Sequence, residues 1–207
     1  MPEIYAERAS LKMAREIYET HMKADFPPEE LKPFPVIEKM WKKDSYFVYV
    51  FYENMPKSGI EENADNGRVL CAYAFLLADN ENRVLLLDYF AVCAQKRGMG
   101  YGSNAVSLLR DACAGWNALI VEVENDEMED IDDKTRTTRK RRISFYTEAG
   151  CYMTDVKSRL WGVNYRIMVM PLSDKYARED IGEKLVSLYK GMYNEKKLKE
   201  NFEILSE

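Results

Sequence analysis

Leu85-Leu86-Leu87-Asp88-Tyr89-Phe90-Ala91-Val92, then Cys93-Ala94, then Gln95-Lys96-Arg97-Gly98-Met99-Gly100-Tyr101-Gly102-Ser103, is the stretch whose reading decides the fold. Its first half is an apolar and aromatic run and reads as a strand. The glycines that follow read as a tight loop, and Ala105, Leu108, Leu109 and Ala112 recur behind it at helical spacing. Glycines let a backbone approach a ligand without a Cβ in the way, and the first N–H groups of a helix have no partner inside it. A strand, a glycine loop and a helix in that order therefore suit an anion, with a phosphate or pyrophosphate as the natural occupant. A tight turn with no ligand is the plain alternative. A Walker loop would need Gly-Lys-Ser/Thr after its second glycine, where Tyr101-Gly102 stands, and a dinucleotide fingerprint would need glycine or alanine at Ser103.

Upstream, Leu11, Ala14, Ile17 and Tyr18 predict a helix capped at Ser10, and Val36 to Trp41 a second. Between them four prolines in Asp25 to Pro35 predict an exposed, acidic and aromatic loop carrying Phe26, Glu29, Glu30 and Phe34. Tyr46 to Tyr52 and Val69 to Leu77 read as a hairpin with a long polar connection containing Asn54, Pro56, Gly59, Asn63, Asn66 and Gly67. The strand Arg83 to Val92 follows.

Downstream, Gly115 is placed to end the helix, and Leu119 to Glu124 is a further strand. Six acidic residues between Asp126 and Asp133, predicted to be a solvated loop, then precede six basic ones between Lys134 and Arg142. A helix from about Thr138 to Ala149 stops at Gly150, and Tyr152 to Val156 and Trp161 to Met170 are strand candidates. Strands come mostly in runs, so the class is α+β with a mixed, largely antiparallel central sheet flanked by helices. After Pro171, Ile181, Leu185, Leu188, Tyr189 and Met192 predict an extra C-terminal helix that could cover the sheet or pair with a second subunit as a homodimer. The domain reading is 1–171 for the main domain and 172–207 for a helical appendage.

Gln95-Lys96-Arg97-Gly98-Met99-Gly100 resembles the acyl-CoA pyrophosphate loop of the GNAT superfamily of N-acetyltransferases, whose pattern is Gln or Arg, two residues, Gly, one residue, Gly or Ala. Val92 stands where that family has a valine whose backbone meets the pantetheine arm, and Phe90, Ala91 and Val92 are the implied thioester-arm contacts. Arg142 to Tyr152 is similar to a later helix of the family, and Tyr146 matches its tyrosine. The sequence departs from the pattern at Arg139, where an asparagine is common, and at Arg142, where a small residue is usual. The resemblance implies a mixed sheet, acetyl-CoA as acyl donor with coenzyme A as product, and direct attack by a primary amine, whether small amine, amino sugar or peptide amine. It implies cofactor contacts from Gln95, Lys96, Arg97, Gly98, Met99, Gly100, Tyr101, Gly102 and Ser103. A catalytically idle acyl-CoA-binding or protein-interaction module of the same fold is the alternative.

An amine near pKa 10 is mostly protonated at neutral pH and must lose a proton before it attacks, which calls for a carboxylate near the carbonyl. Asp88, Glu122 and Glu124 are the candidates, and the latter two share one face of their strand. Tyr146 is the candidate acid for the leaving thiolate, and backbone N–H groups around Phe90 to Val92 would stabilise the oxyanion. Phe26, Glu29, Glu30 and Glu124 are candidate substrate contacts, since acidic side chains favour a cationic acceptor.

Composition narrows the remaining classes. The chain has 207 residues, 46% hydrophobic, and a net charge of -5 without a basic field, which argues against nucleic acid. Cys71, Cys93, Cys113 and Cys151 form no Cys-x-x-Cys pair and read as reduced core thiols, and His21 as a surface or packing residue, so no metal is implied. Glu3, Glu7 and Arg8 occupy the start, and no apolar run reaches a membrane span of about 20 residues. The expected address is cytoplasmic.

Overall fold

A computed structural model describes residues 3–54, 67–174, 176 and 180–205. The expected long connection between the first two predicted strands lies at 55–66, outside the described residues. Eight strands form one sheet in the order β1-β2-β3-β4-β5-β7-β6-β8. Contacts divide the chain into two compact units, residues 1–77 with 88–113, and residues 78–87 with 114–207.

In the first unit, β1 (Tyr5–Arg8) pairs antiparallel with β2 (Tyr46–Asn54), and β2 with β3 (Arg68–Asp79). β1 escaped the sequence reading because four residues of mixed polarity carry no period. Between β1 and β2 run α1 (Leu11–Ile17), a wider π turn to Met22, α2 (Lys23–Asp25) and α3 (Phe34–Trp41). Ser10 Oγ accepts the Met13 N–H at 3.2 Å, satisfying one of the amide groups a helix start leaves open. α1 and α3 bury Ala14, Ile17, Phe34, Ile37 and Met40. The register between β2 and β3 slips after Phe51, which faces Ala72 while Tyr52 faces Leu70, leaving Cys71 as the extra residue of a bulge. Its carbonyl accepts the Cys93 N–H at 2.9 Å, just where β4 (Val84–Val92) ends. α4 (Tyr101–Ala112) completes this unit.

In the second unit β4 starts parallel to β5 (Ala118–Glu124) over three pairs, Val84 to Ala118, Leu85 to Leu119 and Leu86 to Ile120. The other pairs here are antiparallel: β5 with β7 (Val163–Pro171), β7 with β6 (Tyr152–Leu160), and β6 with β8 (Phe202–Leu205). The α+β, largely antiparallel expectation is met. α5 (Asp133–Glu148) begins well before the expected Thr138, because Asp132 caps it through the Thr135 N–H at 2.9 Å. Its early turns carry no apolar residue, so periodicity was silent there. Within the acidic block Asp126 is buried and bonded to Arg166 at 3.0 Å, a correction to the solvated loop, while Glu129 and Asp130 are exposed. α6 (Ile181–Met192) buries Ile181, Leu185, Leu188 and Tyr189 within the chain. α7 (Glu195–Asn201) and β8, neither anticipated, follow it.

Candidate functional site

The glycine loop leaves β4 through a 3-10 turn at Ala94–Lys96 and enters α4 at Tyr101. Gly98 and Gly100 have φ of +74° and +81°, a region where a Cβ is strained, and Gly100 is the N-cap of α4. No side chain caps this helix start. Among the described residues no backbone N–H from Gly98 to Ser103 donates a hydrogen bond, and Gln95, Gly98, Met99, Gly100 and Ser103 are exposed. A Cβ built at Gly98 meets nothing within 4 Å, so the space beside this residue is open. The result is a row of amide donors at the positive end of a helix, an arrangement complementary to a pyrophosphate.

The charged and phenolic side chains of the loop are tied to neighbouring elements. Lys96 and Tyr101 both hydrogen-bond Glu53 of β2. Burial works against the Glu53 carboxylate, but those two bonds outweigh it and hold its pKa below the usual value. Arg97 donates from Nε to the Val92 carbonyl at 2.9 Å and from its terminus to Asp25 at 2.6 Å, and Asp25 also accepts the Tyr73 hydroxyl at 2.7 Å. These contacts brace the loop against β2, β3 and α2.

Asp88 lies on the same unit's part of β4, with its side chain only 4% exposed. One oxygen bonds Lys32 Nζ at 2.6 Å and the other accepts the Tyr46 hydroxyl. The neighbouring Tyr89 hydroxyl donates to the Glu30 carbonyl at 2.8 Å and accepts the Lys32 N–H at 2.9 Å, while Phe26 packs edge-on against its ring. The predicted loop Asp25 to Pro35 is thus a strap tied to β4, with Glu29 and Glu30 exposed on it. Phe90, Ala91 and Val92 are half-buried at the end of the strand. Lys32, Tyr46 and Glu53 were missed, since nothing in local sequence marks a partner tens of residues away.

The second unit carries the other candidates. Glu122 accepts the Tyr189 hydroxyl on Oε2 and Ser158 Oγ on Oε1 at 3.3 Å. Glu124 is held by Arg142, and by Arg139 at 3.7 Å, so the two family departures on α5 serve this carboxylate. Tyr146 is buried with its ring against Phe145 at 5.0 Å, and its hydroxyl has no hydrogen-bond partner among the described residues. Burial pushes the Tyr146 pKa well above the usual phenol value, and the Arg142 charge opposes this only in part. Such a group stays protonated throughout the neutral range.

Chains of solved structures share this architecture at low identity. A GNAT-family protein from Bacteroides thetaiotaomicron superposes with a TM-score of 0.60 at 16% identity, covering 89% of this chain and 94% of that one. The spermidine N-acetyltransferase of Vibrio cholerae, solved with CoA and spermine, gives 0.56 at 9% identity over 82% and 95%. The ribosomal-protein-S18-alanine N-acetyltransferase of Escherichia coli gives 0.53 at 16% identity over 86% and 99%. The chain therefore has the GNAT acetyltransferase fold. No protein-family model and no curated protein matches it.

Proposed function

We propose that the chain is an acyl-CoA-dependent N-acetyltransferase acting on a primary amine, and that residues 1–171 form its transferase domain. The observation that carries this reading is the row of amide groups from Gly98 to Ser103 that donate to no acceptor among the described residues, braced from behind and with open space beside Gly98. Phosphate oxygens would bind these groups, with Gln95, Met99 and Ser103 on the exposed rim and Lys96, Arg97 and Tyr101 shaping the loop. Phe90 to Val92 would line the thioester arm, and their N–H groups would meet the oxyanion. Acetyl-CoA supplies a thioester already activated toward amines, so positioning the two reactants provides much of the rate.

Three carboxylates compete for the proton of the incoming ammonium group. Asp88 holds Lys32 and Tyr46, and Glu124 holds two guanidinium groups, so both are committed to other cations or donors. Glu122 accepts the hydroxyls of Ser158 and Tyr189, which orient its carboxylate, and we assign it as the general base. Glu122 takes the proton of the ammonium group, the amine nitrogen forms the new bond to the acyl carbon as the bond from carbon to sulfur breaks, Tyr146 gives a proton to sulfur, and the second proton leaving the new amide nitrogen restores the phenol. The hydroxyl of Tyr146, protonated and without a hydrogen-bond partner among the described residues, is suited to that donation.

The acceptor class is read from the strap, where Phe26 packs against Tyr89 and the acidic residues Glu29 and Glu30 are exposed, which favours a cationic amine. Structural neighbours that act on spermidine and on a ribosomal-protein alanine support an amine acceptor. Four buried free cysteines support a reducing, cytoplasmic setting, and no helix among the described residues is long and apolar enough to cross a membrane. Calorimetry with acetyl-CoA tests the cofactor, and thiol release over an amine library tests turnover. Absence of binding at millimolar ligand refutes the transferase; binding without thiol release from any amine indicates the idle module.

A further inference from the structure

The strap, residues 25–35, and the glycine loop belong to the same compact unit and meet at one ion pair, Asp25 with Arg97. We propose that these two are positioning residues that couple the strap to the loop, so that seating coenzyme A in the loop holds the strap in place for the amine. The inference rests on the readings of the loop as the pyrophosphate cradle and of the strap as the acceptor contact.

Arg97 stands one position before Gly98, and its guanidinium reaches two places. Nε donates to the Val92 carbonyl at 2.9 Å, and a terminal nitrogen donates to Asp25 Oδ1 at 2.6 Å. The N–H of the same Val92–Cys93 peptide donates to the Cys71 carbonyl at 2.9 Å. The peptide that ends β4 is therefore held at both ends, and one of the two holds is the group that grips the strap. Asp25 is the last residue of α2, where the helix stops because Phe26 precedes Pro27 and is extended, with φ of -125° and ψ of 145°. Its side chain is only 12% exposed, and Oδ2 accepts the hydroxyl of the fully buried Tyr73 at 2.7 Å. Burial, and then the bond to Asp25, raise the Tyr73 pKa, so this phenol remains a donor. At its far end the strap is tied by the Lys32 N–H to the Tyr89 hydroxyl and by the Lys32 carbonyl to the Tyr18 hydroxyl, both at 2.9 Å.

Two contacts that share one side chain are linked in energy. A ligand bound by several loop amides restrains the loop, and a restrained Arg97 is a firmer anchor for Asp25. By reciprocity, a strap held at Asp25 favours the loop shape that takes the ligand. Because the carboxylate is largely covered, the pair is screened by salt less than one on an open surface.

Hydrogen exchange in the full chain, with and without saturating coenzyme A, tests the coupling. The ligand should slow the amides of residues 98–103 and, by about tenfold, those of Phe26 and Lys32, whose acceptors are the Met22 carbonyl and the Tyr89 hydroxyl. Tenfold is the low end of what one hydrogen bond to a charged group supplies. In Arg97→Gln and Asp25→Asn the slowing of the loop should remain and that of the strap should be lost. Arg97→Gln decides the matter if Asp25→Asn does not fold, since the Arg97 side chain is 55% exposed. A brace without coupling would change strap exchange equally with and without the ligand. Strap amides slowed alike in the wild type and both variants, or slowed in none while the loop responds, overturn the coupling and leave the cofactor site standing. No slowing anywhere, together with no heat of binding in calorimetry, overturns the transferase reading and the coupling with it.

Discussion

Gly98→Ala separates backbone strain from ligand binding, because the structure supplies a matched control. Gly98 and Gly162 have φ of +74° and +82°, and a Cβ at either position meets no atom within 4 Å. Alanine in this conformation costs about 1–2 kcal/mol. In a chain of this size that corresponds to a fall in Tm of roughly 2–8 °C, the same for Gly98→Ala and Gly162→Ala. The two differ in what fills the open space. Gly162 lies in the turn between β6 and β7, whereas a methyl group over Gly98 would stand where the pyrophosphate is assigned. Displacing the anion from one or two charge-assisted hydrogen bonds costs about 2–3 kcal/mol, or roughly 30- to 150-fold in Kd. Thermal melts followed by calorimetry with acetyl-CoA measure both quantities. Equal losses of stability with unchanged affinity in both variants would refute the cradle, since the methyl would then have displaced nothing.

Glu122→Gln should lower kcat by roughly 100- to 10,000-fold with acetyl-CoA affinity retained, as expected for loss of a general base, and steady-state kinetics beside calorimetry read this out. Tyr146→Phe should reduce kcat at unchanged affinity, and because burial raises the phenol's pKa, wild-type kcat should show no fall from its ionisation as pH rises to 10. Asp88→Asn removes the negative member of a charged pair with Lys32 and is expected to destabilise the chain by about 3–5 kcal/mol in urea melts, since both side chains of that pair are largely covered. Burial pushes the thiols of Cys93 up to about 11 and of Cys113 and Cys151 up to about 12. The folded state therefore favours the protonated form: this stability is fully present below pH 9 and is lost as pH rises through 11 to 12. At pH 8 these thiols should resist alkylation until the chain is unfolded, as mass spectrometry after a timed iodoacetamide pulse would show.

The glycine loop was legible before any coordinates because its chemistry is local. A positive φ, a helix start and the strand before it are all consequences of residues within a few positions of one another: Gly98 and Gly100 have positive φ, and Tyr101 starts the helix. The same holds for Ser10, whose oxygen caps the next turn. Elements without an apolar period, namely β1, β8 and the first turns of α5, were not legible, since their stability comes from pairing and capping. Lys96 and Arg97 show the limit within the motif itself. As residue types they suit a phosphate, but their charges are bound to Glu53 and Asp25, so donation falls to the backbone.

The sequence by itself determined the fold class, the strand-to-helix loop with its open amide groups, and the set of carboxylates from which a base could be drawn. Only the tertiary structure separated those carboxylates, by joining Asp88 to Lys32, Glu124 to Arg139 and Arg142, and Glu122 to Ser158 and Tyr189. The physical reason is range. Backbone conformation follows from neighbours along the chain, whereas what a carboxylate can do depends on the donors folding brings to it, here from as far as 67 positions away.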